Sequence, residues 1–148
     1  MPRVLIANDH GAVDLSRRIK EHLEKRGYEV NWIGVQTESR VDYPDMAKAA
    51  ADEFFKGGYD FGIVNCGTGI GISISINKIP GIRCALVHDL YTAELTKRHN
   101  NPNFIAFGGR CSYSDSVEAM LDMFIDSKFE GGRHQERIDK MMALDRLV

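Results

Sequence analysis

Short apolar runs alternate with amphipathic stretches along nearly the whole chain, which is the pattern of an α/β fold. Val4, Leu5, Ile6 and Ala7 form a continuous apolar run suited to a buried strand. Ala12, Leu15, Ile19 and Leu23 then recur at helical spacing until Gly27. Tyr28 to Ile33 reads as a second strand. Pro44, at a first helical position, opens a helix expected to bury Ala47, Ala50, Ala51, Phe54 and Phe55 before Gly57-Gly58. Phe61 to Asn65 is a third strand and runs into Cys66-Gly67-Thr68-Gly69-Ile70-Gly71.

The next segment is ambiguous by period alone. Ile70, Ile72, Ile74 and Ile76 alternate with small residues as a strand would, but consecutive parallel strands need a crossover and no other segment is available for it. A short helix is therefore expected. Ile82 to Val87 is a fourth strand, Leu90 to His99 a helix, Asn100 to Asn103 a polar hinge and Phe104 to Phe107 a fifth strand. Asp115 with Glu118 forms a candidate capping box for a helix carrying Val117, Met120, Leu121 and Phe124. A last helix, about 133–147, carries Ile138, Met141, Met142 and Leu144. The expected architecture is five parallel strands closed by right-handed crossovers, within one domain spanning residues 1–148.

Composition narrows the function more than the fold. The 148 residues include 19 Lys and Arg against 21 Asp and Glu, a formal charge of −2 with both signs interspersed. No basic block is available to neutralise several phosphates at once, so nucleic acid is not an expected partner. No apolar run approaches the roughly 20 residues that span a bilayer, and no leader pattern opens the chain, so a membrane is not expected either. The three cysteines, Cys66, Cys84 and Cys111, are odd in number and widely spaced. That spacing argues against disulfides and zinc and fits a cytoplasmic protein. Cys84 and Cys111 read as small packing residues.

In open parallel sheets ligands bind beyond the carboxyl ends of the strands, and here those ends are polar: Asn8-Asp9-His10-Gly11, Cys66-Gly67-Thr68-Gly69, His88-Asp89 and Gly108-Gly109-Arg110. The glycine loop could hold a phosphate, a dinucleotide or a reacting oxyanion. A Walker loop needs Gly-Lys-Ser/Thr at its end, and Lys78 stands too far downstream. The dinucleotide fingerprint needs a different glycine spacing on an earlier strand. What remains is a set of backbone N–H groups at a helix start beside Cys66, a setting that makes a thiolate available as base or nucleophile, with Thr68 as orienting hydroxyl or helix cap. Packing at a strand end is the bland alternative for Cys66. Asp9 equally suits an N-cap, and His99 and Asn100 could merely cap a helix. Arg133 and Arg137, four apart with His134 between them, suit a dianion or a solvated face paired with Glu130 or Glu136.

Taken together these segments resemble the type B ribose-5-phosphate isomerases, the family that also contains galactose-6-phosphate isomerase subunits. The resemblance is carried by Asp9-His10, Asp42-Tyr43-Pro44, Cys66-Gly67-Thr68-Gly69-Ile70-Gly71-Ile72-Ser73, Asn77-Lys78, Gly81-Ile82-Arg83, Arg98-His99-Asn100 and Phe129-Glu130-Gly131-Gly132-Arg133-His134. It implies a Rossmann-like three-layer sandwich and a homodimer or dimer of dimers. In such an assembly the C-terminal helix packs on a partner subunit and each active site draws on both copies. It also implies cofactor-free and metal-free interconversion of an aldose phosphate with its ketose. By the same resemblance Cys66 is the base and Thr68 supports it. His99 opens the sugar ring with Asp9 close by, and the amides of Gly67, Gly69, Ile70 and Gly71 hold the enediolate. His10, Arg133 and Arg137 take the phosphate, with Tyr43, Asn100 and Arg110 as further binding residues.

Three positions depart from the family pattern: Asn8, Asn65 and the pair Ser75-Ile76. Asn8 and Asn65 either reach the sugar and sort its hydroxyls or pair with each other or with loop backbone. Ribose 5-phosphate is the expected substrate, with allose 6-phosphate, galactose 6-phosphate or a tetrose phosphate as alternatives. A non-catalytic sugar-phosphate-binding subunit and a nucleotide-binding module are the competing classes. The first is disfavoured by the retained Cys66, Thr68 and His99, the second by the missing phosphate-loop signatures.

Overall fold

In the computed structural model, which describes residues 1–147, the first apolar run becomes the centre of β1 (Arg3–Asn8), followed by α1 (Val13–Lys25), β2 (Glu29–Trp32) and α2 (Tyr43–Phe54). β3 (Phe61–Cys66), α3 (Ile70–Ile76), β4 (Cys84–Leu86) and α4 (Leu90–Leu95) come next, then β5 (Phe104–Gly108), α5 (Val117–Asp126) and α6 (Arg133–Ala143). All strand pairs are parallel and the sheet order is β2-β1-β3-β5-β4.

Alternation along the strands splits the core in two. Val4, Ile6, Ile63, Ile105 and Phe107 face a cluster shared with α1 and α5, where Ile19, Leu23, Met120 and Phe124 are buried. Leu5, Ala7, Val64, Phe104 and Ala106 face the other way, toward Ala47, Ala50 and Ala51 of α2 and Ile72 and Ile76 of α3. With both faces covered by helices the sheet is the middle of three layers, which is why its strands read as unbroken apolar runs.

The ambiguous isoleucine segment is helical. Ile72 and Ile76, four apart, are fully buried, while Ile70 and Ile74 are more than half exposed. Burying each of the first two contributes roughly 1.5–3 kcal/mol, which favours the helix over its period-two rival.

Several local expectations are corrected. Phe55 lies just past α2 and is 53% exposed rather than buried. β4 is reduced to Cys84–Leu86 because the Arg83 N–H donates to the Asn103 side chain instead of to a neighbouring strand. The N-cap of α5 is Ser116, whose Oγ accepts from the Ala119 N–H at 3.1 Å. Asp115 instead accepts from the Leu90 N–H at the start of α4. The helix expected to end at His99 passes into a widened π-type turn, Thr96–Asn100, and α6 yields to a 3-10 turn at Leu144–Leu147. Cys111 is exposed and Cys84 only half-buried, so neither is a fully packed core residue. Even so, desolvation pushes the Cys84 thiol well above its ordinary value.

Candidate functional site

The chain leaves β1 for β2 on one side and later returns to β3 on the other. The carboxyl ends of β1 and β3 therefore border the crevice where parallel sheets of this kind bind ligands. Asn8 is paired with Asn65, and Cys66 with Gly108, so Asp9, Cys66 and Arg110 emerge from three adjacent strand ends.

The floor of this crevice is backbone. A methyl group on Gly11 would stand 2.9 Å from the Gly67 nitrogen, and one on Gly109 would stand 2.5 Å from the Gly11 carbonyl oxygen. Gly69 adopts φ +78°, a left-handed conformation that turns the loop into α3 and that other residues adopt only at a cost. The turn aims the Gly69 N–H at Cys66, whose Sγ accepts it at 3.1 Å. Thr68 Oγ1 accepts from the Ile70 N–H at 3.1 Å, which fixes the hydroxyl at the helix start. Tyr43 lies across Gly71, with ring carbons 2.7 Å from where a side chain there would begin.

Asp9 is buried, and its carboxylate accepts from the Gly11 N–H at 2.8 Å, so the N-cap reading is correct for a 3-10 turn at His10–Ala12. His10 Nδ1 accepts from the Val41 N–H at 3.2 Å, which leaves Nε2 as the proton-bearing nitrogen of the neutral ring. His10, Gly11, Gly109 and Arg110 line a polar cleft of about 310 Å³. The Arg110 N–H donates to the Gly67 carbonyl at 2.9 Å, tying this cleft to the glycine loop.

Asn8 and Asn65 have structural partners and do not pair with each other. Asn8 Nδ2 donates to the Asp9 and Val35 carbonyls, and its Oδ1 accepts from Trp32 Nε1 at 2.6 Å. Asn65 bridges Ser16 Oγ and the Phe107 N–H. Both are fully buried and brace the strand ends.

His99, Asn100, Arg133 and Arg137 are elsewhere. Asn100 closes the turn that precedes β5, at the amino end of Phe104, whereas Cys66 is opposite Gly108 at the carboxyl end. At ~3.3 Å per residue the strand between them spans roughly 13 Å. The start of α6 joins His99: the His134 ring stacks on it, and Glu130 lies against both. Burial and the nearby positive groups push His134 below the usual imidazole range, while Arg98 holds Glu130 below the usual carboxylate range. Asn100 also borders a cavity of about 490 Å³ walled by Ile82, Arg83, Met141, Met142 and Leu144, which carries none of the loop chemistry found at Cys66.

Sequence reasoning did not anticipate the roles of Gly11, Gly109 and Tyr113, whose Oη accepts from the Gly108 N–H at 2.8 Å. The adjacency of Gly11 to Asp9-His10 was the available signal for the first. No helix among the described residues is long and apolar enough to cross a membrane.

A family described as Ribose/Galactose Isomerase matches residues 4–141. The ribose-5-phosphate isomerase B of Escherichia coli is 37% identical over 98% of this chain and 97% of its own. Among solved structures, the ribose-5-phosphate isomerase B of Clostridium thermocellum superposes with a TM-score of 0.92 at 40% identity, covering 97% of both chains. That of Mycoplasma genitalium, solved with ribulose-5-phosphate bound, gives 0.90 at 35% identity over 99% of this chain and 97% of its own.

Proposed function

The chain belongs to the ribose/galactose isomerase family, and from that premise we propose that it is a cofactor-free aldose–ketose isomerase interconverting ribose 5-phosphate and ribulose 5-phosphate. The observation that carries this reading is the convergence of Asp9, His10, the Cys66 glycine loop and Arg110 at adjacent strand ends. The ribulose-5-phosphate held by the Mycoplasma genitalium relative supports the pentose as substrate.

Ring opening comes first, and the aldose–ketose step follows, in which one proton moves from C2 to C1 and another from O2 to O1. His99 takes the proton of the anomeric hydroxyl as the C1–O4 bond breaks and returns it to the ring oxygen, with Asp9 alongside. Cys66 then removes the C2 proton, the electron pair moves into a C1–C2 double bond, and the enediolate oxygen rests on amides of the loop Gly67 to Gly71, including Ile70. Thr68, hydrogen-bonded at the helix start, orients Cys66 and substrate. Transfer of the O2 proton to O1 and reprotonation at C1 complete the ketose. The phosphate is held by His10 Nε2, Arg133 and Arg137, with Tyr43, Asn100 and Arg110 lining the sugar.

Because His99 and Cys66 lie at opposite ends of one sheet, one copy of the chain supplies the glycine loop and a second supplies His99, Asn100, Arg133 and Arg137. The active unit is a homodimer or a dimer of dimers with shared sites, each chain a single isomerase domain. Exposed Met141, Leu144 and Leu147 at the carboxyl end support packing of α6 on a partner. Three free cysteines support a cytoplasmic setting.

The test is incubation with ribose 5-phosphate in deuterated water. Ribulose 5-phosphate carrying solvent deuterium beside the carbonyl is expected, and Cys66→Ala should abolish turnover. Wild-type turnover by Cys66→Ala would defeat the base assignment, and unlabelled, unconverted substrate would defeat the isomerase reading.

A further inference from the structure

The ring of His99 is held by two residues that the proposed chemistry does not use. His134, buried on α6, stacks its ring on that of His99 with centroids 4.1 Å apart and planes 9° from parallel. Glu130 Oε1 lies 3.3 Å from His134 Nε2 and 3.9 Å from His99 Nε2. Glu130 is fixed in turn: Arg98 Nε and Nη2 both meet its Oε2, and its own N–H donates to the Arg98 carbonyl at 3.0 Å. Arg98 also pairs with Glu94 one turn earlier at 3.1 Å. The whole assembly hangs on the π-type turn Thr96–Asn100, a widened turn of the kind that concentrates at functional sites.

The same three side chains, His99, Glu130 and His134, have ligand atoms within 4.8 Å of one another, which invites a metal. The ring geometry argues against it. An ion midway between parallel rings 4.1 Å apart would sit about 2 Å out of both ring planes, whereas an imidazole nitrogen binds metal along its in-plane lone pair. Arg98 also already occupies one oxygen of Glu130. A stacked neighbour and an anchored carboxylate are what orients an imidazole and steadies its charge.

We infer that Glu130 and His134 are positioning residues for His99 in sugar-ring opening. The carboxylate, 3.9 Å from His99 Nε2, stabilises the imidazolium formed while His99 holds the anomeric proton. The neutral His134 ring gives that cation a flat face to stack on. His134 Nε2 lies 3.3 Å from Glu130 Oε1, so the two sit together as one unit against His99. The inference rests on the reading of His99 as the ring-opening group.

The test separates ring opening from proton transfer at carbon. Ribulose 5-phosphate has its C5 oxygen esterified, cannot close a furanose ring, and reaches the enediolate without ring opening. Exchange of its C1 hydrogen with deuterated water therefore reports Cys66 chemistry alone, while conversion of ribose 5-phosphate needs both steps. Glu130→Gln and His134→Phe are each expected to lower kcat for ribose 5-phosphate about tenfold, the modest end of what a positioned acid–base group supplies. The ribulose 5-phosphate exchange rate should stay within about twofold of the parent. Equal losses in both assays would mean that the pair serves the fold or the whole site, and no loss in either would mean that it serves neither; each result overturns the inference. His99→Gln run alongside should show the same selective loss. If it also abolishes exchange, the reading of His99 itself fails, a result distinct from failure of its neighbours.

Discussion

Replacing Gly11 with alanine probes the shape of the crevice floor, because it removes no reacting group, although the new Cβ would also stand 3.2 Å from the Asp9 carboxylate. The new Cβ would stand 2.9 Å from the Gly67 nitrogen and 3.1 Å from its Cα, so the loop must retreat by about half an ångström to reach ordinary contact. Overpacking of this kind costs about 1–3 kcal/mol, since both sides of the contact are backbone and neither has a rotamer to give. For a chain of this length each kcal/mol lowers Tm by roughly 2–4 °C. The larger effect falls on catalysis: the displaced residue adjoins Cys66, and misplacement approaching 1 Å costs up to about 100-fold in rate. Gly11→Ala is therefore expected to lose about tenfold or more in kcat/KM for ribose 5-phosphate. Gly27→Ala is the control. It imposes a side chain at φ +90° beyond α1, with no atom within 4 Å, and costs a comparable 1–2 kcal/mol or so through strain alone. Thermal melts and steady-state kinetics on both variants decide the matter. If the two melt alike and Gly11→Ala keeps parent kcat/KM, the floor does not set the position of the base.

Other outcomes follow from other parts of the molecule. Trp32→Phe leaves the buried Asn8 Oδ1 without its donor and should cost about 1–3 kcal/mol in urea unfolding while sparing kcat; an unchanged urea midpoint would contradict it. Mixing Cys66→Ala with His99→Gln subunits should, after exchange, restore about a quarter of parent activity, because half the dimers are mixed and each carries one intact site; a mixture that stays inactive would refute the shared site. Asp122 loses some solvation, which alone would raise its pKa, but hydrogen bonds from His22 and Arg26 outweigh this and hold it below the usual carboxylate range. Its contribution is present above the unfolded carboxylate pKa and disappears as pH falls through the lower folded value. Asp122→Asn should therefore be less stable than the parent at pH 7 and converge with it in strong acid, as read by urea midpoints. Alkylation at pH 8 should modify exposed Cys111 ahead of Cys84, whose burial raises its thiol; preferential labelling of Cys84 would contradict this.

The strands were legible because burial on both faces writes itself as unbroken apolar runs, as at Val4–Ala7 and Phe61–Val64. The α3 segment was legible only through topology, since its isoleucines fit two periods and only packing against α2 selects one. Turn chemistry was less readable. Asp115 and Ser116 are both good caps, and which one serves α5 depends on the approach of the Leu90 N–H from another element. Phe55 reads as core by type and is exposed because α2 ends one residue earlier. At the site, Asp9, Cys66 and Arg110 could be placed together from strand ends alone. The separation of His99 from Cys66 depends on which end of β5 the preceding turn meets, a three-dimensional fact that leaves no periodic trace. The bracing roles of Asn8 and Asn65 were equally hidden, because an amide that reaches a substrate and one that props a loop look alike in sequence.

The close approach of Gly11, Gly69, Gly108 and Gly109 to neighbouring main chain has a consequence for divergence. Where backbone meets backbone, the outline of the floor is fixed by strand register and has no side-chain vocabulary in which to vary. In the proposed two-subunit site, a longer or shorter sugar is therefore expected to be accommodated at the rim, by Tyr43, Arg110 and the Asn100 that the second copy supplies, over an unchanged floor. Swapping rim residues between relatives should move substrate preference without disturbing the enolisation step, whereas any edit to the floor is felt by every substrate alike.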